Sequence, residues 1–175
     1  MRLISKAAQT LDSILERVVY YAIYVAGVIT LLMAWVTTFG VVMRYAFRSP
    51  EHFSYEIGIL CLISSVSLAL GYIQRQGRNL RVDFVSNYFP LKVQDALLNI
   101  FVPLIALFYT ILLTRESWGD ALYSLSIGER TYSAWAPPVG PMKLMVPIGA
   151  GLLSIVLLFQ LIRGLVNVIK KAEER

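Results

Sequence analysis

Residues 20–43 read YYAIYVAGVITLLMAWVTTFGVVM, inside a stretch without charge that runs from Val18 to Met43. A hydrocarbon core of about 30 Å takes roughly 20 apolar residues of helix at about 1.5 Å each, so this stretch is long enough to cross a bilayer with some tilt. A secretory signal peptide is the competing reading. The stretch is too long for one, and Arg44 stands where a small-residue cleavage site is expected. The rest of the chain has the same character: 57% of its 175 residues are hydrophobic, its mean hydropathy is +0.65, and it carries 16 Lys and Arg against 11 Asp and Glu. A two-domain cytosolic enzyme is excluded by that composition. The net charge of +5 is a signature shared by nucleic-acid binders and by membrane proteins with basic cytoplasmic loops. The hydropathy favours the membrane, and no nucleic-acid partner is expected.

Working outward, three more apolar runs complete an all-α, four-span, single-domain membrane protein. The first span covers residues 18–43. The second apolar run, Ile57 to Ile73, is bounded by Glu56 and Arg75; it is short for a span, so its helix is expected to begin a turn earlier and to cover residues 52–73. The third covers residues 96–113 and contains Pro103, which membrane helices tolerate when neighbours satisfy the freed carbonyl. The fourth follows Pro137, Pro138 and Pro141, covers residues 144–162, and is expected to hold Pro147 in its first turn, where the missing N–H costs least. Orientation follows from Lys and Arg, which stay in the cytoplasm. Arg2, Lys6 and Arg17, then Arg75, Arg78, Arg81 and Lys92, then Arg163, Lys170, Lys171 and Arg175 share one side. Arg44, Arg48, Arg115, Arg130 and Lys143 share the other. Both termini are therefore expected in the cytoplasm.

Two stretches read as interfacial. Leu3, Ile4, Ala7, Leu11, Ile14, Leu15 and Val18 recur every three to four residues, with Lys6, Asp12, Glu16 and Arg17 between them. That pattern predicts an anchoring helix over residues 3–17 lying on the membrane before the chain turns in. Val82, Phe84, Val85, Tyr88 and Phe89 make a similar surface beside Arg78 and Arg81. The largest outer element is a loop over residues 114–143. In its first half, Trp118, Leu122 and Leu125 share one helical face, so the third helix is expected to continue beyond the bilayer or along its surface. Trp118, Tyr123, Tyr132 and Trp135 fit an aromatic belt.

The four apolar runs contain no charged residue. A pump that binds ions at mid-membrane shows ionisable groups or broken helices facing a cavity, so their absence argues against an independent transporter. A small multidrug-type exchanger needs a buried carboxylate, and a quinone-linked disulfide oxidase needs cysteine pairs. The only cysteine is Cys61. No paired carboxylates, metal cluster or nucleophile with a base appears at a membrane edge, so neither an enzyme nor a cofactor or metal site is expected. The runs do hold small residues that let helices approach closely: Ala22, Ala26 and Gly27, then Gly58, Ser64, Ser65 and Ser67, then Gly149, Ala150, Gly151 and Ser154. Packing within the chain and docking to another subunit both account for them.

Charges gather at the membrane edges. Arg44 and Glu56 flank the short first outer loop, placed for an ion pair or a shared contact to a neighbour. Arg75, Arg81 and Asp83 lie at the cytoplasmic edge, where snorkelling anchors are the ordinary explanation. Glu129 and Arg130 precede Trp135. His52, the only histidine, lies beside Glu51.

In order, these residues spell RYxFxxP (Arg44, Tyr45, Phe47, Pro50), Glu56, GYxxRxGxxxxVD (Gly71, Tyr72, Arg75, Gly77, Val82, Asp83), GER (Gly128, Glu129, Arg130), and a proline-rich entry to the last helix with Pro138, Lys143, Pro147 and Gly149. The pattern resembles the DctQ family, the small membrane subunits of tripartite ATP-independent periplasmic (TRAP) transporters, over roughly Val42 to Gly151. Phe53 departs from it where a tryptophan is common, and Asn79 where a histidine is. The resemblance implies a subunit of a sodium-driven organic-acid importer in the bacterial inner membrane. Such a subunit is a scaffold beside a large membrane subunit that carries the substrate and sodium sites, and it works with a periplasmic substrate-binding protein. It further implies that Arg44, Tyr45, Glu56, Arg75 and Asp83 contact the large subunit or the membrane edge. Pro50, Glu51, His52, Glu129, Arg130 and Trp135 then lie in loops facing the binding protein. An autonomous four-helix transporter or channel is the alternative.

Overall fold

The computed structural model of the chain describes residues 2–77 and 100–173. They form four α-helices: α1 (Arg2–Tyr45), α2 (Ser54–Arg75), α3 (Val102–Ser126) and α4 (Gly140–Glu173). The amphipathic loop surface from Val82 to Phe89, with Arg78, Arg81, Asp83 and Lys92 around it, lies outside the described residues, as does the start of the third span.

α1 corrects the first expectation. No turn separates residues 3–17 from the span; one unbroken helix runs through both. The segment has no proline, and its first glycine is Gly27, so nothing interrupts the hydrogen-bond ladder. At its described end, Leu15 and Val19 are buried with Val156, and Tyr72, Leu152 and Phe159 pack around them, whereas Ile14 and Val18 stay exposed.

α2 stops where Gly77 takes φ +62°, a left-handed conformation natural to glycine. α3 ends the same way. Gly128 has φ +61°, and the N–H groups of Glu129 and Gly128 return to the carbonyls of Ser124 and Leu125 at 3.0 and 3.3 Å. Both motif glycines are thus helix stops. The loop expected over residues 114–143 shrinks accordingly to the non-helical stretch 127–139. α4 begins at Gly140, earlier than expected, so Pro147 is inside the helix and not in its first turn. There it leaves the Lys143 carbonyl without its usual helical donor.

α2 packs between α1 and α4, and α3 packs on the far side of α4, while α1 reaches α4 only slightly. The described helices therefore form an open row, α1–α2–α4–α3, and not a closed four-helix bundle. Small residues set the spacing. A Cβ on Gly149 would fall 2.5 Å from Ser67 Cβ, one on Gly71 3.1 Å from Leu152 Cγ, and one on Gly58 3.3 Å from Thr37 Cγ2. Gly27, by contrast, has nothing within 4 Å of where a Cβ would stand.

Among the described residues, three helical segments are long and apolar enough to cross a membrane: Asp12–Tyr45, Ser54–Arg75 and Gly140–Val166. α3 differs. Ser124 meets Lys143 near the start of α4, and Thr114 lies against Gly151, so α3 runs antiparallel along α4. Arg115 and Glu116 therefore sit beside the middle of α4's apolar segment, on exposed faces of α3 together with Asp120. The charge-free boundary expected after Leu113 does not coincide with the end of the packed helix pair.

The glycine contacts predict a contrast. Gly149→Ala forces a methyl into the Ser67 backbone and should destabilise the chain by about 1–3 kcal/mol, the usual range for overpacking. Gly27→Ala should leave stability unchanged or slightly raised. Thermal unfolding in detergent checks both; equal effects would contradict the packing described.

Candidate functional site

Charged side chains gather at both ends of the row. At the end that holds the termini, Arg75 is 82% buried and sits 3.1 Å from Asp12 Oδ1 and 3.3 Å from Glu16 Oε2, while Arg163 pairs with Asp12 Oδ2. The Gln74 amide donates to Gln160 Oε1 at 2.7 Å. One arginine from α2, one from α4 and two carboxylates from α1 thus lock three helices together. Arg75 is held by this chain's own acids. Asp83, its expected neighbour, is outside the described residues. Sequence reasoning missed Asp12, Glu16 and Arg163 as a cluster, although Asp12 and Glu16 stand four residues apart and so share a helical face.

At the opposite end, the loop 127–139 folds back on itself. Val139 N–H donates to the Glu129 carbonyl at 2.9 Å, Thr131 N–H to Pro137 at 3.1 Å, and the Arg130 guanidinium to the Ala136 carbonyl at 3.2 Å. Lys143 Nζ ties the loop to both flanking helices, donating to Glu129 Oε2 at 2.9 Å and Ser124 Oγ at 2.7 Å. A hydrogen bond from Ser124 and the Lys143 ammonium hold the Glu129 carboxyl below the usual carboxylate range.

The short connection between α1 and α2 is organised by Glu51. Its Oε2 accepts the N–H groups of Phe53 and Ser54 at 2.9 and 2.8 Å, donors that the first turn of α2 leaves unused. The Ser54 hydroxyl, those N–H groups and the charge of Arg44 lower its pKa. Phe53 stacks on Phe39 at 6.1 Å, and Trp135 meets Phe53 edge-on at 6.4 Å, so an aromatic row joins the two loops. Tyr45, Pro50, His52, Arg130 and Trp135 are exposed here.

Arg44 and Glu56 do not pair, which corrects the expectation of an ion pair. Arg44 is exposed, whereas Glu56 is 5% exposed and turned under the loop, where Thr131 Oγ1 donates to its Oε1 at 3.1 Å. The reason is geometric: α2 begins beyond the first loop with Glu56 facing α4 and the 127–139 loop. Among the described residues, no group of three or more His, Cys, Asp and Glu side chains is placed to hold a metal.

Two outcomes follow from this geometry. Arg75→Ala leaves Glu16 without its cation and Asp12 with Arg163 alone, and should destabilise the isolated chain by about 1–3 kcal/mol. An unchanged melting temperature would show that Arg75 serves something other than this cluster. For Glu129, a lowered carboxyl contributes stability that is complete above the ordinary carboxylate pKa and disappears as pH falls through the folded value. The melting-temperature advantage of the wild type over Glu129→Gln should therefore be steady above about pH 5 and vanish in more acid solution. A gap independent of pH would contradict the Lys143–Glu129 clamp.

A search of curated proteins finds no match to this chain. The family described as tripartite ATP-independent periplasmic transporters, DctQ component, matches residues 33–167. The match extends from the middle of α1 through α2, α3 and most of α4, and takes in both charged ends except for Asp12 and Glu16. The chain belongs to the DctQ family, the small permease component of TRAP transporters.

Proposed function

We propose that this chain is the small subunit of a sodium-driven importer of organic acids, and that it acts as a non-catalytic scaffold for the large transport subunit. Its termini face the cytoplasm of a bacterium across the inner membrane. C4-dicarboxylates, sialic acid and related carboxylates are the substrate class. Sodium and substrate are held by the large subunit, and this chain binds no cofactor of its own. Loop residues Pro50, Glu51, His52, Glu129, Arg130 and Trp135 help to dock the periplasmic binding protein.

One observation carries this reading beyond the family. Among the described residues, the charged side chains sit at the ends of the row, under its loops or on outward faces, and Glu56 and Arg115 line cavities that open outward. The cavities found are open and shallow, such as one of about 380 Å³ lined by Ile111, Thr114, Arg115, Trp118 and Ser154. Neither cavity that a charged side chain lines, at Glu56 or at Arg115, is an enclosed path for an ion or carboxylate between the described helices. The charges of α3 point the same way. If a bilayer covers the apolar segments of α2 and α4, Arg115, Glu116 and Asp120 fall within its depth, where a charge costs about 2.5–3.5 kcal/mol at the centre unless protein or water meets it. A neighbouring subunit supplies that cover, whereas an autonomous transporter of this build exposes them to lipid.

The test is purification of the affinity-tagged chain from membranes that also hold the large subunit. The wild type should bring the large subunit with it. Glu116→Ala combined with Asp120→Ala should insert and melt like the wild type but recover several-fold less of it. Equal recovery would remove α3 from the interface, and recovery of the wild type alone, without a companion, would contradict the scaffold reading.

A further inference from the structure

Among the described residues, the Glu56 carboxylate has a buried oxygen that the packing leaves unexplained. It is 5% exposed, Thr131 satisfies one of its oxygens, and the other, Oε2, is buried with no hydrogen-bond partner among the described residues. A buried carboxylate oxygen left unpaired is costly, and native structures seldom keep one without a use. Glu56 also lines a cavity of about 340 Å³ with Tyr55, Ile59, Thr131, Tyr132 and Met142. Arg44, exposed at the end of α1, does not pair with Glu56, and Lys143 is committed to Glu129 and Ser124.

We propose that this cavity receives a single lysine or arginine side chain of the large membrane subunit, whose cationic head pairs with Glu56 Oε2. The inference rests on the scaffold reading above and names the contact that reading lacks. Three features of the cavity fit such an occupant. Glu56, one of its lining residues, supplies the complementary charge. Tyr55 and Tyr132, both largely exposed, stand at its rim, where tyrosine ring faces attract a cation. Ile59 and Met142 give the wall apolar area that suits the methylene stem of a long basic side chain and not a hydrated ion. Its position selects the neighbour. Tyr55 and Ile59 are four residues apart on one face of α2, so the cavity opens along the side of the helix as well as under the loop. A membrane-embedded subunit approaches from that side, while a soluble binding protein meets only the end of the row. Thr131 Oγ1 donates to the other carboxylate oxygen from the loop, and Ser133 Oγ, 3.1 Å from Thr131 Oγ1, holds that hydroxyl in place.

The experiment uses the small and large subunits expressed together, with the tag on the small one. Glu56→Gln keeps the shape and the Thr131 contact and removes the charge; recovery of the large subunit should fall roughly tenfold, as expected when one partner of a buried charge pair is neutralised. Tyr132→Ala changes a fully exposed ring and should lower recovery by a smaller factor with the chain's own melting temperature unchanged. A photo-crosslinking residue at position 132 in the intact complex should attach to the large subunit within a few residues of a lysine or arginine. Adducts only to the binding protein or to lipid, or wild-type recovery from both substitutions, would overturn the proposal while leaving the scaffold reading intact. A sodium-dependent rise in melting temperature of the isolated wild-type chain, absent in Glu56→Gln, would overturn it in favour of a bound ion. Failure of the wild type to retain the large subunit at all would remove the scaffold reading and this contact with it.

Discussion

Ion pairing at the ends of apolar helices is what the rest of this structure depends on. Hydrocarbon does not solvate charge, so a chain with long uncharged helices places its cations and carboxylates where water or another protein can meet them. At the terminal end, Arg75 and Arg163 share Asp12, and Arg75 also reaches Glu16. At the other end, Lys143 bridges Glu129 and Ser124. Between these two clasps, helix contact depends on small residues, because lipid offers no hydrophobic drive for one apolar helix to prefer another. Gly149 against Ser67 and Gly71 against Leu152 bring α2 and α4 close enough for backbone-level packing.

An open row has a consequence that a closed bundle lacks. With α1 and α3 on the flanks, Tyr21, Val28, Leu31 and Trp35 on one side and Ile105, Phe108 and Tyr109 on the other remain largely exposed. In a bilayer such flanks meet lipid or a neighbouring subunit with no loss of stability. The row of described helices is thereby broad for its length of chain. Family membership as the DctQ component of TRAP transporters agrees with that architecture.

Much of this was legible in the residues. The charge-free run through Met43 announced a membrane helix, and the ordered fragments from Arg44 to Gly149 announced the family. Gly77 and Gly128 belonged to those fragments, and their positive φ values supply the physical reason: both end helices. What escaped the sequence was long-range register. Periodicity shows that Leu15 and Val19 share a face, but it cannot distinguish a lipid surface from α4, and these two residues are packed against Val156. Nor does hydropathy show that α3 runs beside α4 past Leu113, since Arg115 and Glu116 end an apolar run whether or not the helix continues. Arg44 and Glu56 looked paired because they lie close in sequence, yet the loop 127–139, 75 residues along at Thr131, claims Glu56. The amphipathic stretch around Asp83 remains an expectation from sequence.

Reconstitution decides the central claim most directly. Purified alone into liposomes with an inward sodium gradient, this chain should give no organic-acid uptake and no ion conductance, and uptake should begin only when the large subunit and the binding protein are supplied. Sodium-dependent uptake by the chain on its own would contradict the account.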